Sequence, residues 1–212
     1  MQLGQIIGRM LGADEIFIHA IGSGISHGES RSENYVRYRD SAVLERSDGV
    51  MELTTAAGSR SLYRGEVVEA GPAQKGFRLG ITDAMLHPAE LYIWGRPGDN
   101  WYLDDTVEAS ASLDGAVDIQ LIHTEEHWRG SITVDVTSGR VLHMRHADLE
   151  WTITSMTEDQ TAPINDEVFL QATTVEEILA GNGSLTQLQR SAVPIRQVVR
   201  RLERPVIDPA SG

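Results

Sequence analysis

From Tyr35 to about Met156 the apolar residues recur at every second position. The clearest runs are Val117/Ile119/Leu121, Ile132/Val134/Val136 and Leu149/Trp151/Ile153. A period of two puts one face of a strand on a core and the other toward water. Turn residues interrupt the pattern at short intervals: Ser47-Asp-Gly49, Ala57-Gly-Ser59, Gly71-Pro72, Arg96-Pro-Gly-Asp99, Leu113-Asp-Gly115 and Thr137-Ser-Gly139. That spacing leaves no room for crossover helices, so it predicts an antiparallel meander instead of βαβ units.

Helical signals are confined to the flanks and to one interruption. Residues 2–11 place Leu3, Ile6, Ile7, Met10 and Leu11 on one side of a short helix that Gly4 and Gly8 weaken. The run 16–21 is long enough for one strand, and 22–34, rich in Gly, Ser and charge, reads as a loop. A helix is expected over 82–91, with Thr82 or Asp83 as its cap. Thr173-Thr-Val-Glu-Glu177 holds two overlapping capping boxes and predicts a helix over 174–181, ending at Gly181. From Ser184, Leu185, Leu188, Ala192, Ile195, Val199 and Leu202 form one apolar stripe, with a kink expected at Pro194. The expected organisation is a β-sheet domain over 1–183 and a helical arm with a frayed tail over 184–212.

Composition narrows the function classes. The 212 residues carry a formal charge of −13. An acidic body repels phosphate backbones, which argues against general nucleic-acid binding. The charge is uneven: residues 184–212 sum to +3, leaving −16 on the rest. The arm is expected to dock on its own body by its apolar stripe; the alternative is that it binds another subunit, a partner protein or an anionic membrane surface, with Arg196, Arg200 and Arg201 as the partner contact. There is no cysteine, so disulfides, thiolate metal sites and cysteine nucleophiles are excluded. No apolar run reaches membrane-spanning length. The first fifteen residues lack a basic stretch followed by an apolar one, so a cytoplasmic location is expected unless the chain is a processed form.

The order of pieces from Tyr35 to Phe169 resembles the lipoprotein-carrier (LolA-like) superfamily, especially its actinobacterial members. Ser131-Ile-Thr-Val-Asp-Val-Thr-Ser-Gly-Arg-Val-Leu-His-Met144 resembles the family's hairpin with its Thr-x-Gly turn, and Leu149–Met156 the strand after it. Ile164-Asn-Asp-Glu-Val-Phe169 resembles the family's exit loop, and Leu113–Leu121 the strand leading into the hairpin. Tyr35–Glu45 and Ser59–Val68 resemble its first strands. The resemblance implies a mainly β (α+β) fold: a strongly curved antiparallel half-barrel with helices on its concave face. It also implies a non-enzymatic role in binding acyl chains or lipidated proteins, or in sensing them. The family is typically exported, and the arm over 184–212 falls outside its common pattern.

Among residues able to do chemistry, His123-Thr-Glu-Glu-His127 matches the H-x-x-E-H spacing of inverted zinc peptidases. That chemistry needs His123 and His127 one helical turn apart, with Glu126 as general base. Val117–Ile122 alternates as a strand, so a hairpin loop is expected there and zinc hydrolysis is the minority reading. His143 and His146 are three apart on a strand and face opposite ways, so one at most joins an inner cluster. No nucleophile elbow or phosphate loop is present, and Asp104-Asp105 are adjacent carboxylates that point apart. The expected function is a binding protein without a cofactor. A hydrophobic small molecule or lipid would lie on the concave face against Tyr92, Trp94, Tyr102, Met144, Trp151 and Ile153. An interaction module acting through the arm is the alternative.

Overall fold

The computed structural model describes residues 3–12, 17–72, 79–104, 110–111, 115–126, 128–159, 169 and 171–181. Twelve strands form one antiparallel sheet. They are β1 (Phe17–Ser26), β2 (Glu29–Tyr38), β3 (Ser41–Arg46), β4 (Val50–Thr55), β5 (Gly58–Tyr63) and β6 (Glu66–Gly71). After an interruption come β7 (Trp101–Leu103), β8 (Ser110–Ala111), β9 (Ala116–His123), β10 (Arg129–Asp135), β11 (Val141–His146) and β12 (Leu149–Asp159). The hydrogen-bonded order is β6-β5-β4-β3-β2-β1-β12-β11-β10-β9-β7, with β8 also paired to β9. Two meanders are therefore joined along β1 and β12, which pair from Phe17↔Asp159 to Ser26↔Leu149. The sheet is curved and open and does not close into a barrel.

Residues 22–34, expected as a loop, instead form most of the β1–β2 hairpin, turning at His27-Gly28. Two of the three glycines that suggested a loop, Gly22 and Gly24, have a packing reason. A Cβ on Gly22 would lie 2.4 Å from Trp151 Nε1 and 2.3 Å from Thr82 Oγ1. Glycine is what lets the Trp151 ring approach β1 this closely.

Helix α1 (Leu3–Leu11) and helix α2 (Ile81–Leu86) cover one face of the sheet. Ile6 and Met10 of α1 and Met85 and Leu86 of α2 are fully buried there, against Ile18, Tyr35, Ile132, Val134, Trp151 and Ile153. The helix expected over 82–91 is shorter and is not capped by Thr82 or Asp83. It starts at Ile81 and ends at Leu86, and a single 3-10 turn, Pro88–Glu90, follows. Pro88 has no N–H to donate and pushes His87 out of helical geometry.

A third helix, α3 (Val175–Gly181), occupies the opposite face. Thr174 Oγ1 accepts the Glu177 N–H at 3.2 Å, while the Glu177 carboxylate accepts the Thr173 N–H at 2.7 Å, so the expected capping residues act on both sides of the helix start. Phe169, Ala172, Val175 and Ile178 close over Phe17, Val36, Val43, Met51, Leu53 and Leu62. The arm over 184–212, including Arg196, Arg200 and Arg201, lies outside the described residues. Among the described residues no helix is long and apolar enough to cross a membrane.

Candidate functional site

Strands β3 and β7 are seven steps apart in the sheet, about 34 Å if it were flat. Residues of β2, β3 and the turn after it nevertheless line the same cavity as residues of β7 and β11. The sheet must curl to bring them together, so the face carrying α2 is the concave one. The cavity measures about 730 Å³, within the range that takes a drug-sized or lipid-like molecule. Ile81 and Ala84 of α2, Leu91, Ile93, Trp101 and Met144 give it an apolar wall. The charged part of its mouth comes from Glu29, Arg31 and Glu33 on β2 and from Arg46 and Asp48 beside them.

Helix α2 is held over this hollow by buried charges at both ends. The Glu33 carboxylate accepts the N–H groups of Ile81 (3.3 Å) and Thr82 (2.8 Å), where the helix dipole favours negative charge. A Cβ on Gly80 would lie 2.6 Å from Glu33 Oε1, so glycine is needed for the carboxylate to reach the helix start. At the other end the buried Arg140 guanidinium donates to the Leu86 carbonyl at 2.7 Å and pairs with Glu158. Between them sits Asp83, 3% exposed. It accepts from Tyr35 Oη (2.5 Å) and the Leu79 N–H (3.1 Å), with His87 Nδ1 at 3.0 Å and Arg37 Nη1 at 3.6 Å. Burial by itself would raise the Asp83 carboxyl, but the bonds from His87, Tyr35 and Leu79 outweigh it and hold the group below its ordinary range. Burial, together with the Asp83 charge, pushes the Tyr35 hydroxyl well up.

Of the six residues expected to contact a ligand, Tyr92 and Met144 line the cavity. The other four do not. Trp151 and Ile153 are fully buried in the core, and Trp151 Nε1 donates to Thr82 Oγ1 at 3.2 Å. Trp94 packs against the same core and donates its ring N–H to the Pro88 carbonyl at 2.9 Å. Tyr102 pairs with Ile122, on the face away from the cavity, and is 37% exposed. Its neighbour Trp101 lines the cavity instead. Tyr92 and Trp94 share no strand; Trp94 forms a single bridge with Tyr102.

The histidines separate as strand geometry requires. His146 shares the inner face with Met144 and lines the cavity, while His143 lies on the other face, 3.6 Å from Glu150. Burial lowers the His146 imidazole from its ordinary value, with Asp148 pulling the other way and His123 adding to the lowering. Trp101 stands between the two rings, 5.0 Å from His123 and 4.9 Å from His146. His123 ends β9, and residues 124–126 form a turn instead of a helix. Its Nδ1 accepts the N–H groups of Glu125 (3.3 Å) and Glu126 (3.1 Å). His127 lies outside the described residues. Among the described residues no three His, Asp or Glu side chains are grouped to hold a metal ion.

The charged mouth was missed because 22–34 reads as a loop. The signal was present: Glu29, Arg31 and Glu33 alternate with serines in a period of two.

No family model and no curated protein matches this chain. Among solved structures, MucB aligns with 80% of this chain at 13% identity and a TM-score of 0.45. The chain spans 62% of that protein's length.

Proposed function

We propose that this chain is a non-catalytic binding protein that holds an acyl chain or another hydrophobic ligand in the concave cavity. The observation that carries this reading is the hollow of about 730 Å³, one wall of which is apolar and formed by Ile81, Ala84, Leu91, Ile93, Trp101 and Met144. Such a wall gains free energy from any apolar group that removes it from water. The likeness of residues 35–169 to lipoprotein carriers points to the same ligand class. Ligand holding by this cavity needs no cofactor and no catalytic group.

Native and denaturing mass spectra of the freshly purified protein test the proposal, with zinc analysis on the same sample. The expected result is a non-covalent adduct of lipid mass that disappears on denaturation. Ala84→Phe, which fills the cavity from α2, is expected to remove the adduct while circular dichroism stays unchanged. A clean apo mass that no lipid mixture converts to an adduct overturns the reading. Stoichiometric zinc lost in a His123→Ala/His127→Ala variant overturns it in favour of the metal reading.

A further inference from the structure

We infer that the cavity selects an apolar chain whose polar end carries no negative charge, and that Glu29 enforces this by occupying Arg31. The inference rests on the binding reading of the same cavity and goes further by naming the ligand's charge class. Among the described residues the cavity wall contains two guanidinium groups, Arg31 and Arg46, and both are engaged. Arg31 Nη2 lies 2.6 Å from Glu29 Oε2, and Arg46 Nη2 lies 2.7 Å from Glu52 Oε2. Each bond takes one terminal nitrogen of its guanidinium, so a two-pronged grip on a ligand carboxylate or phosphate through that nitrogen is lost. Glu33 and Asp48 add negative charge at the same mouth. Their carboxylates accept main-chain N–H groups, from Ile81 and Thr82 and from Val50. His146 offers little compensation, since burial disfavours its charged form. Among the described lining residues an anionic end group therefore meets carboxylates without a spare cation, whereas an uncharged or cationic end meets acceptors.

Three ligands with the same ten-carbon chain test this by titration calorimetry at low salt: decanol, decanoate and decyltrimethylammonium, all below their micelle concentrations. Comparing the cation with the anion removes the common cost of dehydrating a charge. The cation is expected to bind about ten-fold tighter than decanoate, the scale of one extra charge at several ångströms near a protein surface. The gap is expected to shrink in high salt. Glu29→Gln frees Arg31 and is expected to strengthen decanoate several-fold relative to decanol. Decanoate binding as tightly as the cation, or a Glu29→Gln variant with unchanged relative affinities, overturns the charge selection and leaves the cavity reading standing. Binding of none of the three overturns the cavity reading and this inference with it.

Discussion

At the scale of single residues, the fold depends on a few positions where an added atom has no space or a buried charge has one partner set. Gly22 is the sharpest case. Its neighbours Trp151 and Thr82 are both buried and hydrogen-bonded to each other, so neither moves freely to admit a methyl group. Gly22→Ala is expected to destabilise the protein by about 2 kcal/mol, the usual cost of overpacking a filled core. Urea denaturation followed by tryptophan fluorescence measures it, and a change under a few tenths of that size would show that β1 yields instead. Arg140 illustrates the second kind of constraint. It is 2% exposed, far deeper than a guanidinium normally lies, and its charge is met by Glu158 and by the carbonyl end of α2.

Among the elements, α3 has the simplest role. The buried apolar cluster of the outer face lies on the β1–β5 side, and α3 with the described residues before it covers that side. On the β9–β12 side the described outer positions are mostly polar, as in the Thr133–Asp118 hydrogen bond of 2.6 Å, with Ile122 an exception. Ile178→Ala leaves a cavity under α3 and is expected to cost about 3 kcal/mol. Hydrogen exchange should show the loss first in β3–β5, with β9–β12 changed less; uniform loss of protection would show the two sides to be one cooperative layer. The strands were legible in the sequence wherever alternation was regular, as in Val117–Leu121, and so was the capped start of α3. The alternation misleads where the sheet bulges. Opposite β1, Ile21 pairs with Ser155 and Gly22 with Ile153, which leaves Thr154 as an extra residue. Inward positions are therefore odd-numbered before it, at Trp151 and Ile153, and even-numbered after it, at Met156 and Glu158. A similar step at Leu142 separates Val141 from Met144 on the inner face. The cavity was legible only in part, because its wall joins segments from 29 to 149 and depends on curvature that no local pattern encodes.

At the scale of the whole molecule, buried ionisable groups on both faces set the response to pH. His19 lies under α3, is hydrogen-bonded to Asn34 at 2.9 Å, and is lowered from 6.5 by burial; His146 on the other face is lowered in the same direction. A histidine lowered on folding binds its proton more readily in the unfolded chain. Its contribution is therefore complete above pH 6.5 and is lost as pH falls through the folded value. Asp83 follows the carboxylate case: its contribution is present above pH 3.8 and is lost as pH falls further. Stability is thus expected to fall in two stages on acidification, histidines first and Asp83 afterwards. Urea midpoints measured across pH 6.5 check the first stage, and His19→Asn with His146→Gln should flatten it. A slope that persists in that double variant would place the titrating groups elsewhere.

The pairing of β1 with β12 also fixes when the molecule is finished during synthesis. Strand β1 finds β2 within a few residues, but its other edge waits for Leu149–Asp159, more than a hundred residues later. At ordinary translation speeds that wait lasts on the order of ten seconds. Throughout it, one side of β1 presents unpaired N–H and C=O groups, the kind of edge that recruits foreign strands. The nascent chain is therefore open to misassembly along β1 for that time, and the eleven residues that end the exposure are the last strand made among the described residues.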